Sequence, residues 1–287
     1  MAYGKAIELF LVNGTADSLV TAELSNWNGK AIKIPRIEVA SCDRDDIKIP
    51  GVYFLFCKED DGTDSVYIGE AENVKERLIQ HMRDYQSEKE KYYWSTAVIF
   101  TGRDLNKAHI RYLENRFVEI ARNARRYVVL TKNTYSRTVL KESQIAAMEE
   151  FVDNVKILIN ALGYKVLEPL VQSHAESAIT DDEELLYLSA GGASAVGKVT
   201  AEGFVVFKGA SVNEKTSRKS LSAGMSKSRD KLFSDGKVDN LVTVEDLLFS
   251  SSSAAADFVL GYSVSGPQTW KDKTGRSLKE IEGTTTD

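Results

Sequence analysis

Two tyrosines stand in neighbouring strand-like segments, where their phenols could act together on one phosphate group. Residues 51–71, GVYFLFCKEDDGTDSVYIGEA, hold two apolar segments around an acidic turn with Asp61-Gly62, which predicts a β-hairpin. Opposed positions of a hairpin face the same way, so we expect Tyr53 and Tyr67 to project together from matching points of the two strands. One phenol could help to activate water while the other orients it. Packing of the two rings across the strands is the alternative.

Arg77 and His81 lie four residues apart in a segment that predicts an amphipathic helix. Asn73 with Glu76 three residues later is typical of a capping arrangement at a helix start. Residues at i and i+4 share a helix face, so the two side chains would form a cationic pair over an anion such as a phosphate. Arginine stays protonated and donates in a fork to two oxygens. An ordinary exposed basic face is the alternative.

Glu114 is a carboxylate at the edge of an apolar stripe on a second predicted helix, about residues 105–124. A carboxylate held there is costly unless it has a partner. A divalent cation is one candidate, because Mg²⁺ takes few protein ligands and keeps several waters. A salt bridge to Arg111 or Lys107 is the other. Glu119 of the same helix points elsewhere.

The order of these residues resembles the GIY-YIG nuclease superfamily. The resemblance covers about residues 49–165 and consists of Gly51-Val52-Tyr53, Tyr67-Ile68-Gly69, Arg77, Glu114 and Asn133. It implies a small mixed sheet flanked by helices. It also implies a divalent-metal-dependent endonuclease, a hydrolase that cuts phosphodiester bonds in DNA.

The resemblance assigns a role to each of the matching residues. Tyr53 and Tyr67 would act on the water and the phosphate, and Arg77 would stabilise the phosphate. His81 matches a position where some members have a histidine that aids proton transfer. Glu114 would hold the metal, Mg²⁺ or Mn²⁺. Asn133 would support the site by hydrogen bonding, although it lacks the proline that frequently follows in this family, and a turn asparagine is the alternative.

The predicted elements mix strands and helices, which favours an α/β (α+β) fold over a helical bundle. Strand-like segments at residues 7–12, 18–24 and 31–34 precede the hairpin, with turn signals at Asn13-Gly14 and Asn28-Gly29. A third helix is predicted over about 142–162, ending at Gly163. We predict three regions: an N-terminal β extension at 1–48, a GIY-YIG nuclease-like domain at 49–170 and a separate α+β accessory domain at 185–287.

The C-terminal region has its own pattern beyond the acidic connection at residues 180–184, TDDEE. FSSSSAAA and Trp270 are similar to a domain of unknown function that often follows such nuclease domains, and the end is similar to RAMA-like modules of restriction and DNA-modification systems. Ser252 or Ser253 could cap a helix, and Trp270 could anchor the strand that follows.

Composition disfavours some functions and shows that basic residues concentrate in two segments. The net charge of −5 disfavours a protein that coats nucleic acid with its whole surface, yet residues 103–132 carry eight bases against three acids, and residues 208–231 seven against two. Two cysteines and three histidines make no disulfide framework or zinc site. No secretory or membrane-spanning pattern is seen, so we expect a cytoplasmic protein without a membrane partner.

Two other functions stay open at this point. One is a catalytically silent module that binds nucleic acid or regulates another protein. The other is a nuclease directed at RNA, which is less favoured than DNA as the partner. Oligomeric state is left open by the sequence.

Overall fold

The computed structural model describes residues 4–59, 62–132, 138–169, 185–217 and 219–284. The chain divides into two compact units, Met1–Pro169 and Leu170–Asp287. Each unit has its own sheet and helices, which confirms the predicted α+β class with a separate C-terminal region. Asn133, Asp61 and the predicted connection at 180–184 lie outside the described residues. Within the described residues, no helix has the length and apolar character needed to cross a lipid bilayer.

The first unit is built on a seven-stranded sheet. Its strands are β1 (Ile7–Leu11), β2 (Val20–Leu24), β3 (Gly29–Pro35), β4 (Gly51–Lys58), β5 (Asp64–Ala71), β6 (Trp94–Gly102) and β7 (Val128–Val129). Their order is β1-β2-β3-β6-β4-β5-β7, and all neighbours are antiparallel except β5 and β7, which run parallel. The strands of the predicted N-terminal extension therefore belong to the same sheet as the hairpin β4–β5.

Three helices of the first unit pack on this sheet: α1 (Val74–Gln86), α2 (Lys107–Ala124) and α3 (Glu142–Ala161). Phe54 of β4 packs with Phe117 of α2 on one face, whereas Tyr53 and Leu55 pack in a cluster with Leu78 of α1 on the other. A strand covered on both faces is expected to show a continuous apolar run, as β4 does in VYFLFC. The helices α1 and α2 thus lie on opposite faces of the hairpin.

The turn between β2 and β3 is not at the predicted Asn28-Gly29. It includes Asn26, which has a φ of 63°, a left-handed conformation that asparagine tolerates. Gly29 is instead the first residue of β3, where a Cβ would lie 2.2 Å from the Trp27 ring. The glycine therefore makes room for an aromatic side chain. Turn propensity alone does not distinguish a glycine needed for this reason from one needed in a hairpin turn.

The second unit has a four-stranded sheet in the order β13-β10-β9-β8 and a two-stranded ribbon, β11-β12. Its strands are β8 (Leu186–Ala190), β9 (Ala193–Thr200), β10 (Gly203–Val206), β11 (Val238–Asp239), β12 (Val242–Thr243) and β13 (Leu247–Phe249). Its helices are α4 (Ala223–Ser234), α5 (Ser252–Leu260), α6 (Gly266–Thr269) and α7 (Leu278–Thr284).

The serine-rich start of α5 is capped one residue earlier than predicted. Ser251, rather than Ser252 or Ser253, accepts a hydrogen bond from the backbone of Ala254. Trp270 is fully buried, and its indole N–H donates to the carbonyl of Ser252 at 2.9 Å, so it anchors this helix start. These contacts give the stretch a structural role.

Candidate active site

Side chains from four elements of the first unit line one open groove of about 480 Å³. They are Tyr53 of β4, Tyr67 and Glu70 of β5, Arg77 of α1, and Lys107 and Glu114 of α2, with the β5–α1 connection at the rim. The hairpin brings β4 and β5 side by side, and α1 and α2 flank it from opposite faces. Four of the six residues that the sequence singled out therefore share this groove.

The two phenols are neighbours, but not at opposed positions as predicted. Tyr53 pairs across the strands with Gly69, and Tyr67 pairs with Leu55, so the tyrosines are diagonal neighbours on one face. Their rings lie 6.3 Å apart between centroids, with planes 25° apart. Diagonal positions are within reach of aromatic side chains. The offset leaves the place opposite Tyr53 to a glycine.

Gly69 leaves the space that the Tyr53 ring occupies. A Cβ at Gly69 would lie 2.4 Å from the Tyr53 hydroxyl oxygen and 2.9 Å from Cε1 of Tyr67. Any side chain there would push both rings out of position. This is a steric reason for glycine at the end of the Tyr67-Ile68-Gly69 motif. The ring of Tyr53 in the facing strand imposes it.

We expect Gly69→Ala to lower the melting temperature, because overpacking a buried position typically costs about 1–3 kcal/mol. Thermal unfolding followed by circular dichroism measures the change. Gly102→Ala in β6 is the matched control, since the nearest atom to a Cβ there is at an ordinary 3.4 Å. An unchanged melting temperature for Gly69→Ala, with the fold intact, would contradict the steric account.

Burial keeps both phenols protonated at neutral pH. It raises the pKa of Tyr53 well above its ordinary value, with Tyr67 adding to the rise and the positive charge of Arg77 opposing it. Burial also raises the pKa of Tyr67, again opposed by Arg77. A protonated phenol acts as a hydrogen-bonding group. It can take a proton from water only if it passes its own proton to a second acceptor.

His81 does not lie beside Arg77 over the groove, so the predicted open pair of cations is wrong. Its side chain is fully buried and packs edge-on against the rings of Tyr53 and Tyr67. The Tyr53 hydroxyl lies 2.9 Å from Nε2 of His81. Helical spacing puts the two residues on one side of α1. His81, however, belongs to the buried face of that helix, together with Val74.

The imidazole of His81 is neutral. Burial lowers its pKa to about 3, and the positive charges of Arg77 and Arg36 add to the effect. Its second nitrogen, Nδ1, lies 2.6 Å from Oε1 of Glu90. The histidine is therefore held between a phenol and a carboxylate.

Glu114 is almost entirely buried, with 5% of its surface exposed. Its Oε2 has no hydrogen-bond partner among the described residues. Burial raises the pKa of this carboxyl group to about 7, and the nearby charge of Glu70 adds to the rise, while Arg111 and Arg77 oppose it. A buried carboxylate oxygen without a partner is costly, so this position suits a cationic ligand.

Glu70 is a groove residue that the sequence reasoning missed. Its side chain is 4% exposed, and its Oε1 lies 3.7 Å from Nε of Arg111 and 3.8 Å from Nζ of Lys107. Its Oε2 is buried without a hydrogen-bond partner among the described residues, like that of Glu114. The signal was available: Glu70 directly follows Gly69, and strand alternation puts it on the face that packs against α2.

Two carboxylates can contribute to a divalent cation site in this groove. Oxygen ligands suit Mg²⁺ and Mn²⁺, and Mg²⁺ keeps several waters, so Glu114 and Glu70 with water and a substrate phosphate would be enough. No cluster of three or more histidine, cysteine, aspartate or glutamate residues with metal-binding geometry occurs in the described part of the chain. The residues thus fit a cation shared with the substrate.

Two arginines of the predicted basic cluster at 103–132 bind other groups of the first unit. Arg116 binds Glu149 and Glu119, both at 2.7 Å, and Arg122 donates to the carbonyl of Thr131. Glu119 is exposed and points away from the groove. These two arginines therefore make contacts within the unit, whereas Lys107 of the same cluster lines the groove.

The second basic cluster is more exposed. Lys208, Lys215 and Lys227 are exposed, whereas Arg229 is buried and donates to the backbone carbonyls of Asn213 and Phe258. The arginine is therefore structural, and the lysines are the residues of this cluster that face solvent.

A larger groove of about 1000 Å³ lies elsewhere on the first unit. Its lining includes Trp27, Lys30, Asp46, Arg103 and Glu150, which mix both signs of charge. It contains none of the predicted site residues.

Comparison with known proteins identifies the C-terminal region. Residues 186–282 match a family described as Domain of unknown function (DUF4357). This match agrees with the predicted C-terminal domain of unknown function, and it does not extend to residues 49–165. No curated protein and no solved structure matches the chain.

Proposed function

We propose that the first unit is a GIY-YIG-type endonuclease that hydrolyses phosphodiester bonds in DNA with a divalent cation, Mg²⁺ or Mn²⁺. The observation that carries the proposal is the shared groove of Tyr53, Tyr67, Arg77 and Glu114. These residues come from β4, β5, α1 and α2, so their convergence does not follow from closeness in sequence. Together they match the chemical needs of phosphate ester hydrolysis.

Arg77 is the residue that would bind the phosphate. Its guanidinium interacts with the hydroxyl groups of both Tyr53 and Tyr67, and it lines the groove. A guanidinium can donate to two phosphate oxygens at once, and it stabilises the negative charge that grows on them during attack. Partial burial of Arg77 restricts its side chain before the substrate arrives.

Tyr53 and Tyr67 would hold the attacking water, and Tyr53 has a proton acceptor behind it. The hydroxyl of Tyr53 lies 2.9 Å from Nε2 of neutral His81 and would donate its proton to this nitrogen. The lone pairs of the phenol oxygen are then directed away from the histidine, where a water in the groove can donate to them. Tyr67 lies beside Tyr53 and would orient the same water or the phosphate.

Glu114, with Glu70 next to it, would hold the cation. A bound divalent cation would offset the charge on the phosphate oxygens and on the leaving oxygen. The Oε2 atoms of the two carboxylates are buried without a hydrogen-bond partner among the residues that the structure describes, which supports this assignment. The exposed lysines of the C-terminal unit would help to bind the sugar-phosphate backbone, a contact that carries no sequence information.

A cleavage panel with purified protein tests the proposal. Supercoiled plasmid, branched DNA and single-stranded RNA are each incubated with Mg²⁺, with Mn²⁺ and with EDTA. We expect nicked or linear DNA with either metal and none with EDTA. Binding to all substrates without a cut would contradict the proposal and favour a silent binding module, and cleavage of RNA alone would overturn DNA as the substrate.

A further inference from the structure

Glu90 is a partly buried carboxylate outside the groove. The proposed hydrolysis of the phosphodiester gives it no role. It lies between α1 and β6, with 17% of its side chain exposed. Its Oε1 is 2.6 Å from Nδ1 of His81, whose opposite nitrogen contacts Tyr53. The three groups form a continuous line of hydrogen bonds from the interior to the groove.

The partners decide which nitrogen of His81 carries the proton. An ionised carboxylate can only accept, so Nδ1 must donate to Glu90, and Nε2 is left with a lone pair. The Tyr53 hydroxyl then donates to Nε2. The phenol oxygen, which also interacts with the Arg77 guanidinium, keeps a lone pair for a water in the groove. If Glu90 instead carried the proton, the tautomer would reverse, and Tyr53 would lose its acceptor.

We infer that Glu90 is a positioning residue for this site: it fixes the Nδ1–H tautomer of His81, so that Nε2 accepts the proton of Tyr53 while Tyr53 takes one from water. The inference rests on the proposed function and deepens it. A carboxylate that orients an imidazole in this way also stabilises the imidazolium that forms during the reaction.

The attacking water loses one proton to the phenol oxygen of Tyr53, whose own proton passes to Nε2 of His81. The hydroxide oxygen forms a bond to phosphorus, and the bond from phosphorus to the leaving oxygen breaks. The leaving oxygen takes a proton from solvent, and His81 later releases one to solvent. Glu90 remains ionised throughout.

The first test reads the tautomer and does not depend on cleavage. ¹⁵N NMR of the imidazole nitrogens is practical because the chain has three histidines, and a His81→Gln variant assigns the signal. We expect a protonated Nδ1 and an unprotonated Nε2 in the wild type. In Glu90→Gln the amide can donate to Nδ1, so the proton shifts toward Nε2, whereas Glu90→Asp keeps the wild-type pattern.

Glu88→Gln is the matched control, because Glu88 is exposed and only two residues away. It should leave the His81 signals unchanged. Protonation of Nε2 in the wild type, or identical His81 signals in the wild type and Glu90→Gln, would overturn the inference.

The second test separates positioning from substrate binding. Glu90 does not line the groove, so Glu90→Gln should lower kcat with KM unchanged. The expected loss is roughly 10- to 100-fold, smaller than the roughly 100- to 10,000-fold typical of a group that transfers the proton itself, because Glu90 acts through His81. Glu88→Gln should cut at the wild-type rate. Wild-type kcat in Glu90→Gln would overturn the inference. Absence of cleavage by the wild type, with the expected ring signals, would overturn the proposed function and leave the tautomer assignment standing.

Discussion

Arg77→Ala is expected to reduce single-turnover DNA cleavage by at least about 100-fold, the scale of losing one preorganised group that stabilises the transition state. The guanidinium lines the groove next to Tyr53 and Tyr67, and alanine removes the positive charge and the donors that it would place on the phosphate oxygens. The rate constant is measured with enzyme in excess over labelled DNA at saturating Mg²⁺.

Arg83→Ala is the matched control for this prediction. Arg83 is on the same helix, and its side chain is exposed outside the groove. It should cut DNA at the wild-type rate. Cleavage by Arg77→Ala at more than a tenth of the wild-type rate would reject the assigned phosphate contact.

Glu114→Gln is expected to lose metal-dependent cleavage and Mn²⁺ binding together. The substitution keeps the shape of the side chain and removes the charge that a divalent cation requires. Mn²⁺ binding is measured without DNA by electron paramagnetic resonance, and cleavage by the assay above. Glu119→Gln, on the same helix but exposed and paired with Arg116, should behave like the wild type in both.

The same substitution should stabilise the metal-free protein in mildly alkaline solution. Burial raises the pKa of Glu114 to about 7 from an ordinary value of 4.5, so the folded state holds the proton more tightly than the unfolded state does. The wild type therefore loses stability as pH rises from about 4.5 to about 7. Glu114→Gln has no such loss.

At pH 8 with EDTA, the free energy of unfolding of Glu114→Gln should exceed that of the wild type by on the order of 1–3 kcal/mol. The difference should disappear near pH 4. Denaturant unfolding at both pH values measures it. Added Mg²⁺ should stabilise the wild type alone. A variant less stable than the wild type at pH 8 would show that the Glu114 carboxylate has a structural partner in the folded protein, which would contradict its assignment to a cation.

Local sequence signals predicted where helices of the first unit begin and end. Asn73 caps α1 by accepting a hydrogen bond from the backbone of Glu76, as the pattern indicated. The third helix was expected at 142–162 and is found at Glu142–Ala161, with Gly163 following in a left-handed conformation. Caps and apolar periodicity act within a few residues, so they are readable from one sequence.

The errors at the candidate site concern contacts between residues that are not neighbours in the sequence. The strand register that offsets Tyr53 from Tyr67 depends on how their rings share the space above Gly69. The burial of His81 depends on which face of α1 meets the sheet. Glu90 belongs to a polar stretch without periodicity, and its role is visible only beside the histidine. Asn133 lies outside the described residues and stays a prediction.

The most direct test of the central claim is a crystal structure of the protein bound to duplex DNA with Ca²⁺, a hard divalent cation that takes oxygen ligands as Mg²⁺ does. The account predicts one backbone phosphate in the groove, with the Arg77 guanidinium at hydrogen-bond distance, about 3 Å, and the cation on the Glu114 carboxylate. A DNA backbone bound outside this groove, or a cation coordinated without Glu114, would contradict it.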